Sequence, residues 1–211
     1  PEMSSERWAC SAAVCGEKIY VIGGSDGSLG DENPQEQEVE CFNPKTQKWT
    51  RAPEMSLKRH GCAAAVCGDK IYVMGGQVED EHERFLEEMG GHPVDSKTQK
   101  VECFDPKTEK WTRAPEMSSK RYGCAAAVFG EKIYVMGGFG SDYLKSMECF
   151  DPKTQKWTRG AKMSSKREGC AAAVCGDKIY VIGGYDGSVN RLNSMEWLLP
   201  FDAVLKMWGL S

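Results

Sequence analysis

The feature that most constrains this chain is that it repeats itself four times. Ala9–Gly24 reads ACSAAVCGEKIYVIGG, Gly61–Gly76 reads GCAAAVCGDKIYVMGG, Gly123–Gly138 reads GCAAAVFGEKIYVMGG and Gly169–Gly184 reads GCAAAVCGDKIYVIGG. A second block follows each: ECFNPKTQKWTRAPEMS from Glu40, ECFDPKTEKWTRAPEMS from Glu102 and ECFDPKTQKWTRGAKMS from Glu148. The fourth copy, from Glu196, opens EWLLPFDAVLKMW and departs from the pattern. Units this alike bury their apolar faces against one another, not in a core of their own. Within one copy, four short runs rich in β-formers are cut apart by Gly and Asp-Pro turns, as in Cys124–Val128, Lys132–Gly137, Lys145–Phe150 and Lys156–Arg159. Runs this short favour antiparallel strands. Four strands per unit at a period near 50 residues predict an all-β chain, a β-propeller of four-stranded antiparallel blades, four in this chain. The whole of 1–211 reads as one domain with repeats at about 1–52, 53–114, 115–160 and 161–211.

The motif details are similar to the kelch repeat. A double glycine closes each apolar second strand (Gly23–Gly24, Gly75–Gly76, Gly137–Gly138, Gly183–Gly184). A Tyr stands three residues before it (Tyr20, Tyr72, Tyr134, Tyr180), and a Trp follows later (Trp49, Trp111, Trp157). The resemblance covers nearly the whole chain. It implies blades with strands a, b, c and d from inside to outside, the Tyr and Trp packing between blades. A closed four-bladed ring is the first expectation. An open arc, a fragment of a larger propeller, or a ring completed by another chain is the second, because Pro1–Ser4 repeats the PEMS that ends other copies.

Variation among the copies points to the functional surface. All length change lies between strands b and c, and loops on a rigid frame tolerate change and carry function. A second variable spot follows a recurring Arg: Arg7-Trp8, Arg59-His60, Arg121-Tyr122 and Arg167-Glu168. Up-and-down strand order puts the b–c and d–a connections at one end of the propeller. Trp8, His60, Tyr122 and Glu168 therefore meet Ser25, Gln77, Phe139 and Tyr185, which follow the glycine pairs, around one mouth. The kelch resemblance implies that a partner docks on this face. The recurring Arg are expected to pair with the equally recurrent Glu40, Glu102, Glu148 and Glu196.

The longest b–c segment, 77–100, is expected to be a helical, acidic insertion. Val78, His82, Phe85 and Met89 share a helical face, and Gly90–Gly91 would stop such a helix. Phe85 and Met89 join the candidate partner-binding set. This segment holds seven acids against three bases, and Ser25–Val39 holds five acids and no base. The chain as a whole carries −4. A protein partner with a basic surface suits that asymmetry, and a nucleic-acid coat does not. Self-association or membership of a larger complex stays open.

Ten Cys occur, yet their repeat positions also accept Phe129 and Trp197. That marks apolar packing, not disulfide or zinc chemistry, and suits a reducing, cytoplasmic or other intracellular compartment. No run is long and apolar enough to span a membrane. Three His and no nucleophile, zinc-protease or phosphate-loop motif leave no catalytic residue, cofactor or metal site to name; His82 with Glu79, Glu83 and His92 reads as solvated loop. The chain is too short and too poor in His for the copper radical oxidases that look like kelch propellers. The expected function is a non-catalytic protein–protein interaction scaffold or adaptor. A substrate-recognition module of a ubiquitin-ligase adaptor, or an accessory subunit of a large assembly, is the alternative, and a propeller enzyme is the least favoured reading.

Overall fold

The structure is a computed structural model and describes residues 1–26, 38–78, 96–188 and 191–200. The first blade comprises β1 (Ser11–Cys15), β2 (Lys18–Ile22), β3 (Val39–Asn43) and β4 (Lys48–Ala52). A short β5 (Arg59–His60) precedes the second blade, which is β6 (Ala63–Cys67), β7 (Lys70–Met74), β9 (Val101–Asp105) and β10 (Lys110–Ala114), with a short β8 (Gln77–Val78) paired to β5. The third blade is β11 (Ala125–Phe129), β12 (Lys132–Met136), β13 (Ser146–Asp151) and β14 (Lys156–Lys162). In the fourth, β15 (Ala171–Cys175), β16 (Lys178–Ile182) and β17 (Met195–Leu198) are described. Every blade is an antiparallel meander in chain order. All of this matches the strand reading of the repeats.

Local chemistry explains the elements. The KIYV runs combine β-branched and aromatic residues, which fit a pleated surface. Strand b lies between neighbouring blades and is buried on both faces: Ile71, Val73 and Met74 are fully covered. In the c–d turns the side chains of Asn43, Asp105 and Asp151 accept the amide N–H two residues on, at 2.9, 2.9 and 2.8 Å. This local bond stabilises the turn without help from the rest of the fold.

Three equivalent cores hold the blades together. Ile22 and Val39 meet Ile71 and Phe104 around Met55. Met74 and Val101 meet Ile133 and Phe150 around Met117. Met136 and Met147 meet Ile179 and Val181 around Met163. Trp111 and Trp157 lie 5.0 Å from Phe104 and Phe150, and their Nε1–H groups donate to the Pro53 and Pro115 carbonyls at 2.8 and 2.7 Å. The repeated Trp thus ties its blade's outer strand to the junction preceding that blade.

The described strands form an open arc. β1 packs on β6, β6 on β11 and β11 on β15. Among the described residues no such packing joins β15 back to β1, and the outward faces of both end blades are exposed: Val14 63%, Ile182 47%, Trp197 52%. The closed ring expected first is therefore corrected to the arc. The helix expected over 77–100 is also corrected at its start, because Gln77–Val78 is a strand held by Arg59–His60. Its remaining face, His82, Phe85 and Met89, lies outside the described residues, as does the fourth blade's end from Phe201 to Ser211.

Candidate partner-binding mouth

The eight mouth positions come together as four pairs. In the first blade the Trp8 N–H donates to the Ser25 carbonyl at 2.8 Å, and the Ser25 N–H returns to Trp8 at 3.0 Å. His60 faces Gln77 across β5 and β8. Tyr122 and Phe139 exchange bonds of 2.8 and 2.7 Å, and Glu168 and Tyr185 exchange two of 2.8 Å. Each residue after the recurring Arg is thus clamped, backbone to backbone, to the residue after its own glycine pair. A two-residue antiparallel bridge fixes direction as well as distance, so the side chains of a pair emerge together.

The pairs then touch around the arc. The Trp8 and His60 rings are 5.6 Å apart, and those of His60 and Tyr122 are 5.7 Å apart and edge-on. Trp8 is 53% exposed. Tyr122 and Glu168 each lie over the glycine of the preceding blade. A Cβ on Gly61 would come 2.3 Å from Cε2 of Tyr122, and one on Gly123 would come 2.9 Å from Cγ of Glu168. Both glycines also have φ of +61°, a region L side chains avoid. The recurrent Gly in Arg-x-Gly-Cys therefore makes room for its variable neighbour in the next blade.

Two residues missed in the sequence complete the mouth. Tyr143, in the short third b–c loop, lies 4.7 Å from Phe139 and 5.3 Å edge-on from Tyr185, bridging the third and fourth blades. Lys97 places Nζ 4.7 Å from the Phe139 centroid, a cation–π geometry. The signal for Tyr143 was present: an aromatic in the shortest variable loop. That for Lys97 was not, since a basic residue ending an acidic segment has no periodicity. Burial pushes the Glu168 carboxyl above its ordinary range, with Lys97 opposing. Burial and the Glu168 charge both raise the Tyr122 hydroxyl. The fourth-blade end of the mouth opens into a cleft lined by Glu168, Tyr185, Arg191 and Leu192.

The recurring Arg are not part of this surface. Arg59 pairs with Glu102 at 2.7 Å, Arg121 with Glu148 at 2.8 Å and Arg167 with Glu196 at 2.9 Å, and Arg7 pairs with Glu40 in the same way. The four Arg side chains are 0–1% exposed. Each also donates Nη1 to the carbonyl of its blade's first paired glycine (Gly23, Gly75, Gly137 or Gly183) at 2.7–3.1 Å. Each Glu in turn accepts the N–H of the junction Ser (Ser4, Ser56, Ser118 or Ser164). One Arg thus bolts three segments of its blade, the structural ion pair expected from matched recurrence. Glu38, counted above among the first loop's acids, belongs to the same machinery. It is 6% exposed and pairs with Arg51 at 3.0 Å, so it adds little to an acidic surface.

The ten cysteines are free thiols. Seven are buried, and burial raises the thiol of Cys124 to about 12 and pushes up those of Cys62, Cys67 and Cys103. Thiols so raised are poor nucleophiles. Packing does not extend to all of them, because Cys10 and Cys175 are exposed on the two end blades.

Comparison with known proteins agrees with this geometry. The family model described as the Kelch motif matches four times, at residues 9–56, 58–118, 120–164 and 166–200. The chain is 34% identical over 139 residues to the spermatocyte protein spe-26 of Caenorhabditis elegans, covering 63% of this chain and 21% of that one. It is 31% identical over 137 residues to alpha-scruin of Limulus polyphemus (65% and 14%) and 36% identical over 125 residues to an F-box/kelch-repeat protein of Arabidopsis thaliana (57% and 28%). The chain thus spans a quarter or less of most of these relatives' lengths. The solved structure of YjhT superposes with a TM-score of 0.69 at 23% identity, over 84% of this chain and 59% of that one, a likeness of fold. Four motif matches in register, on four blades bolted by the same Arg and opened by the same glycines, make this chain a member of the kelch-repeat family.

Proposed function

We propose that the chain is a non-catalytic protein-interaction module, and that its partner docks on the mouth built by Trp8, His60, Tyr122 and Glu168 with Ser25, Gln77, Phe139 and Tyr185. One observation carries this reading. The positions that change type between copies are the ones the fold clamps together at one rim, while the Arg–Glu bolts beneath them repeat without change and the core positions stay apolar. Three features suit a peptide or loop as occupant: contiguous rings, a partly buried carboxylate at Glu168 and an open cleft beside it. Aromatic side chains give large contact area at small entropic cost. The acids of the first two b–c loops favour a partner with a basic surface, held less tightly as salt rises. An adaptor role, with the propeller selecting what a second module acts on, is favoured by the likeness to an F-box/kelch-repeat protein.

The test replaces Trp8, His60 and Tyr122 together by Ser. The variant is expected to keep its circular dichroism spectrum and melting temperature while its affinity for the partner falls at least about tenfold, as for loss of a central aromatic cluster. Undiminished affinity in the folded variant moves the interface off this face.

A further inference from the structure

We propose that the sector of the mouth between the third and fourth blades takes one arginine side chain of the protein partner, with Glu168 as its counter-ion and the neighbouring tyrosine rings as its walls. The assignment rests on the mouth being the docking surface, and it adds the partner residue which that surface selects.

Glu168 is held at two points. Its backbone exchanges two hydrogen bonds of 2.8 Å with Tyr185. Its side chain lies over Gly123, where a Cβ would come 2.9 Å from Cγ. The carboxylate is therefore placed by the third blade as well as by its own. It is partly buried, and among the described residues it accepts no hydrogen bond and enters no ion pair. By contrast Glu40, Glu102, Glu148 and Glu196 are each paired with an Arg. A carboxylate half withdrawn from water without a cation costs free energy, and a cation brought by a partner offsets that cost.

The rings around it suit a cation. Burial and then the Glu168 charge push up the Tyr122 and Tyr143 hydroxyls, so the carboxylate acts on both. Tyr143 stands 5.3 Å edge-on from Tyr185 and 4.7 Å from Phe139. Glu168 thus lies among Tyr122, Tyr143 and Tyr185, all of them partly exposed and open to a guest. The same row of rings already holds a cation of this chain, with Lys97 Nζ 4.7 Å from the Phe139 centroid. Lys97 acts on Glu168 only through space, and Arg191, bridged to Tyr185 by its backbone, forms no ion pair with it either. The next place in the row, beside the carboxylate, is where a second cation fits. A guanidinium suits it better than an ammonium. Its flat face stacks on a ring while two N–H groups donate in parallel to one carboxylate. The carboxylate and its three tyrosines belong to the third and fourth blades, whose shared core is packed within this chain.

The test selects binders from a displayed library of random peptides. The unsubstituted chain is expected to enrich peptides with an arginine at one fixed position. In the tightest binder, exchanging that arginine for citrulline, its uncharged isostere, should weaken binding at least about tenfold, as for loss of one partner of a close charge pair. Exchange for lysine should also weaken it, because the fork is lost. Glu168→Gln keeps the side-chain size over Gly123 and should cost a similar factor. Combined with the citrulline peptide it should cost little more, since both changes break one contact. The peptide arm needs no substituted protein, so it decides even where Glu168→Gln fails to fold. Additive losses, a lysine peptide bound equally well, enriched peptides without a fixed arginine, or no enrichment at all overturn the inference. Peptides that are lost by the Trp8, His60 and Tyr122 triple Ser variant but ignore both citrulline and Glu168→Gln overturn it alone and leave the mouth as the docking surface. Peptides indifferent to the triple substitution as well overturn both.

Discussion

Strands β6 and β15 have the same sequence, Ala-Ala-Ala-Val-Cys, and opposite surroundings. In the second blade Ala63, Ala65 and Cys67 are buried against the third. In the fourth blade Ala171, Ala173 and Cys175 are exposed. The strands that follow differ only in their last residue and both pair in the same register. Five residues and two glycines therefore suffice to form the hairpin, and nothing in them decides whether it is buried. Burial comes from the neighbouring blade. This is the behaviour of a linear array, in which stability is a sum over units and junctions, and among the described residues no blade packs on the outward face of the fourth.

The largest expected effect tests that contrast directly. Met74→Ala removes a fully covered side chain between two blades and should cost about 2–5 kcal/mol in urea unfolding. Ile182→Ala, at the same repeat position, should cost below about 1 kcal/mol in the monomeric chain, because its side chain is already half in water. Equal losses would mean that the fourth blade's face is covered in solution, and the contrast between the two ends of the array would collapse.

A middle-sized effect sharpens the same comparison at the mouth. Gly61→Ala puts a methyl 2.3 Å from the Tyr122 ring. Gly169→Ala meets nothing within 4 Å. Both carry the left-handed penalty of about 1–2 kcal/mol. Only Gly61→Ala should also displace Tyr122, seen as a changed near-ultraviolet spectrum and weakened partner binding. A Gly169→Ala variant as disturbed as Gly61→Ala would show that the open end of the mouth has a neighbour.

The smallest effect concerns acid. Burial raises the Glu196 carboxyl, but the Ser164 amide and the Arg167 guanidinium outweigh it and hold it below its ordinary 4.5. A lowered folded value means that the unfolded chain binds the proton first. The stabilisation is then complete above about 4.5 and is lost as pH falls through the folded value. Glu196→Gln should lower stability at neutral pH and flatten the acid limb of the stability curve. An unchanged acid limb would remove this pair from the causes of acid unfolding.

Comparison of the copies made several things readable before any coordinates. The strands were legible because each KIYV run is bounded by its own turn residues. The bolts were legible because Arg and Glu recur together, and the eight mouth positions because variation stands out against a fixed frame. Lys97 was not legible because it ends a long segment without counterparts, where no copy offers a contrast, whereas Tyr143 stands out only as an aromatic in the shortest variable loop. Glu38 was misread as surface charge because an acid in a loop looks the same whether or not Arg51 and Arg7 enclose it.

The sequence alone determined the hairpins, the order of strands, the kelch pattern and the recurrence of one core per junction. Local β-propensity, turn chemistry and repetition act over a few residues or one period, and all are written in the chain. Only the tertiary structure decided that the described first and fourth blades do not meet, that Cys175 faces water while Cys67 does not, and that Trp8, His60 and Tyr122 touch. Those outcomes depend on the angle between blades and on which face has a neighbour, quantities set by packing between units that no single repeat encodes.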